Sequence, residues 1–468
     1  MKKRFKVLLP SVLTVVSLML SAVPVFGADG TGGGNSGFTG KEVIKTLEEA
    51  SNVDNGELRP FVANGLKDKG LSDAEFVEKN KVKKEAPAIK KTLEENPEEF
   101  SGMYYDDEKG TIVVQVTKDS EEVKNKVKNK IKNKDKVEFK TVKYSKKDID
   151  ESKKRIKKEY KDGQVQVLIP DVKNNKLIVM VKDDKDGNLK NKIESLATPG
   201  LVEIKKATIK AEKLATDEFV YPGEIPGGAR ITGEYLSDPS GDIYFTACSV
   251  GFHAVDAFDS NVLVTSGHCR AVNPNPNSYT GSQWFQFSDE DRAIGNYSRR
   301  TFSSQTDGSD GVSDSGYIAY YPGVSGSPSV AYPSQTDRTP IVGAYISELV
   351  GDTVYFRGSS TGYLTKQTIR YTNVDFFWGE GGYAYNDNEI LTTGQDAIRG
   401  DSGGTVAAQY AWDNNRGGYT FKIAGIITGR VWIEEADSDV VEAGIYNVYD
   451  PIWMVYRDLR LKGIKVSQ

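Results

Sequence analysis

Only two cysteines and two histidines occur in 468 residues. So few of them exclude a disulfide-dense scaffold, most cysteine-ligated zinc sites and nearly all multi-histidine metal centres. After the first thirty residues no run approaches the ~18 apolar residues needed to span a bilayer. Tryptophan is scarce and uneven, because Trp284, Trp378, Trp412, Trp432 and Trp453 all lie beyond residue 228, as do both cysteines. An acidic excess is absent from the first 228 residues, where 44 Lys and Arg meet 38 Asp and Glu for a net of +6. The remainder has 17 against 28, a net of −11. The length exceeds one ordinary core, and this shift marks two kinds of polypeptide joined near residue 228. A hydrophobic share of 38 % with 10 % aromatics excludes global disorder.

What is present begins with a basic start, Lys2, Lys3, Arg4 and Lys6, followed by an apolar run from Val12 to Leu20 and the small residues Gly27 and Ala28. This order predicts a secretory signal over residues 1–28. The other reading, a membrane anchor, suffers from the shortness of the run and from Pro10 and Pro24 around it. The mature protein is expected to be secreted and extracellular, with no stable membrane anchor, where Cys248 and Cys269 can pair.

Residues 29–228 form the expected second region. A Gly-rich stretch to Gly40 leads into short helical runs over 41–98, such as Val43, Ile44 and Leu47, and later Phe76 and Val77. Two β-β-α-β units follow. Tyr104 to Val116 and Val165 to Val181 each read as a strand, a turn and a strand. Ser120 to Asn133 and Leu189 to Leu196 read as helices, and Val137 to Val142 and Leu201 to Ile209 as closing strands. The alternating lysines from Lys124 to Lys134 are a solvated helix face, since Val123, Val127 and Ile131 make one buried stripe. Interleaved acids and sparse aromatics argue against nucleic acid. Pro222, Gly223, Pro226, Gly227 and Gly228 read as a linker from Tyr221.

Residues 229–468 are rich in short alternating runs, among them Cys248 to Ala254, Val262 to Ser266, Tyr317 to Tyr320, Thr353 to Phe356 and Ile423 to Thr428. They predict an antiparallel barrel or sandwich. Asp450 as N-cap and Pro451 at the first helical position predict a C-terminal helix to about Leu461.

The chemistry lies in Thr265-Ser-Gly-His268-Cys269 and Arg399-Gly-Asp-Ser402-Gly-Gly404. A serine hydroxyl needs a base within reach, and the only imidazoles are His253 and His268. Glycines around Ser402 permit a tight turn whose amides converge on an oxyanion. Gly400-x-Ser402-x-Gly404 alone also fits the nucleophile elbow of an α/β-hydrolase. That fold places its histidine after the serine, and no histidine follows residue 268.

With Cys248-Ser-Val-Gly-Phe252 and Ser360-Thr-Gly-Tyr363 added to these two strings, residues 229–468 resemble the secreted bacterial serine proteases of the chymotrypsin fold, the alpha-lytic protease and streptogrisin group. The lysine-rich first half resembles the group's α+β propeptide, mainly over Ser101 to Thr117. The resemblance implies an all-β protease domain of two antiparallel six-stranded β-barrels with the site between them. It assigns His268 as general base and Ser402 as nucleophile. Asp314, in Ser313-Asp-Ser-Gly-Tyr-Ile318, best fits the third place, with Asp310 and Asp307 as nearby alternatives. The oxyanion donors implied are the amides of Gly400 and Ser402, worth ~3 to 4 kcal/mol each in proteases of this kind. The resemblance also pairs Cys248 with Cys269, a closure worth ~3 kcal/mol in the chain-entropy model. It makes His253 structural.

Asp396 falls where trypsin-type enzymes carry the pocket carboxylate, which implies cleavage after basic residues. The implied pocket wall, Thr428-Gly429-Arg430, ends in an arginine where glycine is usual, so an acidic P1 stays open. Activation has two readings. Arg230-Ile231-Thr-Gly233 would free an Ile231 ammonium for Asp401, or Arg357 would pair with Asp401 internally, and the second is preferred. The expected partners are polypeptide substrates and the chain's own propeptide as folding assistant and inhibitor. No metal or organic cofactor is called for; a calcium site near Asp289, Glu290 and Asp291 is left open. The rival class is an inactive protease-like binding module.

Overall fold

A computed structural model describes residues 41–53, 57, 81–106, 108–159, 165–181, 188–206, 209–211, 221, 223–235, 244–269, 283–286, 293–301, 313–332, 337–378, 384–394, 396–433 and 444–468. The signal segment 1–28, Phe76 and Val77, Asp307 and Asp310, and the acidic run 289–291 lie outside the described residues. Among the described residues no helix is long and apolar enough to cross a membrane.

Alternating sequence after residue 350 closes on itself. Thr353–Arg357, Thr365–Trp378, Ala384–Gly394, Gly444–Pro451, Gly418–Ile433 and Thr405–Asp413 each pair antiparallel with the next, and the last pairs with the first. Their inward positions, including Phe356, Ile369, Ile390, Val406 and Tyr449, make one apolar core. Closure removes the free strand edges that an open sheet would expose.

The other half of the β body is a nine-stranded sheet. Its order is Glu42–Lys45, Gly463–Ser467, Phe252–Val255, Asn261–Ser266, Ser315–Tyr320, Ala293–Arg300, Gln283–Phe285, Arg230–Tyr235 and Tyr244–Ser249. Within it Phe252–Val255 uses its second edge on Gly463–Ser467, and the chain itself, through Val250 and Gly251, links it to Tyr244–Ser249. The C-terminal helix is present as Ile452–Asp458, shorter than expected, with Pro451 rather than Asp450 at its N-cap. Asp450 is instead fully buried.

Both β-β-α-β units form. The first joins Phe100–Asp106, Thr111–Val116 and the parallel Val137–Thr141, with helix Glu121–Lys128 packed through Val123 and Val127. The second joins Val165–Asp171, Lys176–Val181 and Val202–Lys206 with helix Asn188–Leu196. An unforeseen helix, Lys146–Glu159, lies between them. The second unit extends the closed barrel outward, because Leu168 pairs with Asp375 and Val167 with Phe376.

Two expectations are corrected. Val43 and Ile44 lie in a strand, not a helix, and their partner is the last strand of the chain. The helix begins only at Leu47, after a capping box between Thr46 and Glu49. The Pro- and Gly-rich segment 221–228 is no free linker. Its Ile225–Gly227 pairs in parallel with Gly326–Ala331, and Tyr221 and Ile225 pack in the core that holds Cys248 and Trp284.

Candidate active site

Strand register assembles the first two groups. Asn261–Ser266 runs into the short turn Gly267–Cys269, and Ser266 pairs with Ser315 on the neighbouring strand. Asp314, one residue before that strand, thus lies beside His268. Its Oδ1 accepts the His268 main-chain N–H at 2.7 Å, and its Oδ2 bonds the ring Nδ1. Asp314 is 1 % exposed. A carboxylate on Nδ1 selects the tautomer with the proton there and leaves Nε2 as a base. The Cys248–Cys269 disulfide is present, with Cα atoms 6.1 Å apart, and pins the turn to the strand Tyr244–Ser249.

Ser402 sits in a turn bounded by Gly400 and Gly403, whose φ values of 90° and 80° favour glycine. A Cβ on Gly403 would also overlap Thr265 Oγ1. The Ser402 carbonyl accepts Ser249 N–H at 2.8 Å and lies 3.8 Å from Cys269 Sγ, which sets the serine beside the histidine turn. Its hydroxyl donates to the Thr428 carbonyl at 3.3 Å rather than to His268. Rotation about χ1 is the step that would bring it to the base, and such bonds commonly tighten only with substrate bound. The amides of Asp401, Gly403 and Gly404 donate to Ile398, Ile427 and Asp401 carbonyls. Those of Gly400 and Ser402 have no acceptor among the described residues, which leaves two donors for an oxyanion.

The expected pairing of Asp401 with Arg357 is corrected. Asp401 is ringed by the 358–361 turn: Ser360 N–H at 3.0 Å, Thr361 N–H at 2.9 Å, the Thr361 hydroxyl, and Ile398 N–H at 2.9 Å. Burial pushes its carboxyl above the ordinary range, and these donors pull it back. The Arg357 guanidinium instead donates to Ala331 O at 2.8 Å and to Gly358 O. In this uncut chain Ile231 lies mid-strand opposite Cys248, so no Ile ammonium exists either.

At the implied pocket, Arg430 Nη1 stands 3.7 Å from Asp396 Oδ2, with side chains 21 % and 40 % exposed. Ala397 N–H donates to the buried Asn447 at 2.8 Å, which fixes the segment carrying Asp396. Thr428 is buried and Gly429 half-buried on the strand that leads to Arg430. Glu389, passed over in the sequence, and Asp450, read there only as a helix N-cap, are fully buried beside this site. A signal for Glu389 is its two-residue spacing from the core residue Leu391, which puts the acid on a buried face, opposite to that of Ile390.

Cys248, His268 and Cys269 offer ligand atoms within 4.8 Å of one another, but both sulfurs are consumed by the disulfide. His253 is buried away from this chemistry, with Tyr320 Oη 2.6 Å from Nδ1. Burial, with the Lys465 charge, pushes its pKa down to about 3. The unfolded imidazole takes a proton below about 6.5, so its contribution to stability is complete above that pH and is lost as pH falls toward 3. The loss amounts to roughly 5 kcal/mol by linkage. Denaturant unfolding at pH 7 and pH 4 should show a smaller acid loss for His253→Gln than for wild type; equal losses would contradict this.

No family model and no curated protein matches the chain. Solved structures do. The chain is similar to Thermobifida fusca protease A, at 19 % identity and a TM-score of 0.35, over 53 % of this chain and 100 % of that one. It is similar to a Nocardiopsis protease, at 19 % and 0.35, over 52 % and 100 %. It is also similar to a Cellulomonas bogoriensis chymotrypsin, at 22 % and 0.33, over 52 % and 98 %. Each of these bacterial enzymes is thus matched over nearly its whole length by about half of this chain.

Proposed function

We propose that the chain is the precursor of a secreted serine endopeptidase that cuts through an acyl-enzyme. The observation that carries this is the double hold of Asp314 on His268, by main-chain N–H and ring Nδ1. Ser402 turns from Thr428 O to His268 Nε2, loses its proton to it, and attacks the scissile carbonyl. The amides of Gly400 and Ser402 receive the oxyanion, His268 returns the proton to the leaving amine, and water repeats the sequence to free the acid. A fluorophosphonate probe should bond to Ser402 Oγ with loss of fluoride, located by peptide mass. No adduct on processed, folded protein would defeat the reading.

The preference for P1 follows from the Asp396–Arg430 pair. Asp396 is its more exposed member, which supports a basic P1 that exchanges with Arg430 at the carboxylate. Arg430→Gly should then raise kcat/KM for Lys-P1 peptides about tenfold, by removing the competing cation. A rise for Glu-P1 peptides instead would reverse the assignment.

The first half reads as the protease's folding assistant and inhibitor. Lys83, Lys90 and Lys153 meet Asp352, Glu348 and Asp375 at 2.9, 3.4 and 3.0 Å, and Lys157 meets Asp387. Every cation of the four comes from the basic region and every acid from the acidic one, which fits charge-steered docking. Ile209–Ala211 also pairs antiparallel with Val431–Ile433, on the strand that continues from the pocket wall. Residues 221–468 expressed alone should give little active enzyme, restored when residues 29–220 are supplied in trans. Full yield and activity without them would contradict this.

A further inference from the structure

Two carboxyl groups crowd Asp314 from behind the triad. Asp450 is next to last in the strand Gly444–Pro451 and is fully buried. It accepts the Asp314 main-chain N–H at 3.2 and 3.0 Å, one to each oxygen, and the Thr428 hydroxyl at 3.0 Å. Glu389, on the strand Ala384–Gly394, is equally buried. It accepts Asn386 Nδ2–H at 2.9 Å, and the Thr428 hydroxyl is 3.5 Å away. The Thr428 hydroxyl thus stands within reach of both carboxyl groups.

Two fully buried carboxylates that converge on one hydroxyl cannot both ionise, so one carries a proton. The donors decide where the proton sits. Asp450 receives an amide and a hydroxyl and is the better anion; Glu389 receives one close donor and is the better acid. Burial and a neighbouring carboxylate push both groups well above the ordinary carboxylate range; the Thr428 hydroxyl and the Asp314 amide pull Asp450 back, whereas Glu389 has only Asn386 to do so. The charged group that faces the pair from another element is Asp314, itself an anion bonded to His268. Thr428 ties the pair to the nucleophile, since its hydroxyl meets Asp450 and its carbonyl holds Ser402 Oγ.

We propose that Glu389 and Asp450 share one proton and act as positioning residues, Glu389 donating to an Asp450 carboxylate that fixes the Asp314 main chain and Thr428. The inference rests on the serine-protease reading and adds a second buried negative charge behind the His268–Asp314 pair. That charge favours the imidazolium formed when Ser402 loses its proton.

The test is the titration of His268 by NMR of 13C-histidine in the full chain carrying Ser402→Ala, which keeps it intact. His253, the other histidine, titrates near pH 3 and does not interfere. Glu389→Gln retains a donor to Asp450 and the single charge, and should leave the titration in place. Glu389→Gln with Asp450→Asn keeps the shapes but removes the charge, and should lower the His268 midpoint by roughly one pH unit. In chains with Ser402 intact, the rate of fluorophosphonate bonding should fall further in the double variant than in Glu389→Gln. An unmoved midpoint in the double variant overturns the proposal, as does an equal fall in Glu389→Gln alone, which would place the charge on Glu389. Should the double variant not fold, 13C-glutamate NMR of wild type decides. One carboxyl signal, missing in Glu389→Gln, must stay at the protonated position from pH 5 to 8, and its absence overturns the proposal. Failure of wild type to take the probe would instead strike the protease reading and leave the titration result standing.

Discussion

Ser402→Ala should lower peptide hydrolysis by about a millionfold while leaving substrate affinity within a few-fold. The size follows from the division of labour at the site. In the proposed mechanism Ser402 is the nucleophile that His268 deprotonates, and the amides of Gly400 and Ser402, without an acceptor among the described residues, would stabilise the oxyanion that forms after attack. The substitution removes a hydroxyl whose bond is a single donation to Thr428 O at 3.3 Å. Folding should therefore be unaffected, and the melting temperature of the variant provides the control. Residual turnover within a hundredfold of wild type would mean that another group attacks.

Asp314→Asn should cost roughly ten-thousandfold in kcat, with KM little changed. Asp314 accepts two hydrogen bonds from His268, one from the main chain and one from Nδ1. An asparagine has one acceptor oxygen. If that oxygen keeps the main-chain N–H, its amide N–H faces Nδ1 and forces the ring proton onto Nε2, where the base should be. The fold should tolerate the change, since the Asp314 amide still donates to Asp450. A loss below tenfold would show that His268 draws its orientation from elsewhere.

The triad strings were legible because their chemistry is local. Glycines beside Ser402 serve a turn with φ near 90° and 80°, and only two histidines compete for the role of base. Asp314 was legible as the residue before a strand, and strand register then brings it to His268. The two β-β-α-β units also read correctly, because alternation and helical spacing are short-range signals. What escaped depends on distant partners. Glu42–Lys45 is a strand because Gly463–Ser467 pairs with it across almost the whole chain. Residues 221–228 have a loop composition, yet Tyr221 is buried and its N–H donates to Gln286 at 2.7 Å. Arg357 and Asp401 stand in suitable places along the chain, but the turn that follows Arg357 delivers its own donors to Asp401 first. Glu389 reads as an ordinary surface acid and Asp450 as a helix N-cap until tertiary packing buries both.

The account stands most directly on one comparison, the full chain expressed beside its Ser402→Ala variant, with intact mass and the new N-terminus recorded. Self-processing is predicted: wild type sheds a fragment of about 200 residues, in keeping with the usual size of a domain, and Ser402→Ala stays whole. Processing of both chains at the same bond would assign the cut to another protease. Two folded, uncut and probe-inert chains would contradict the account and support a binding module in its place.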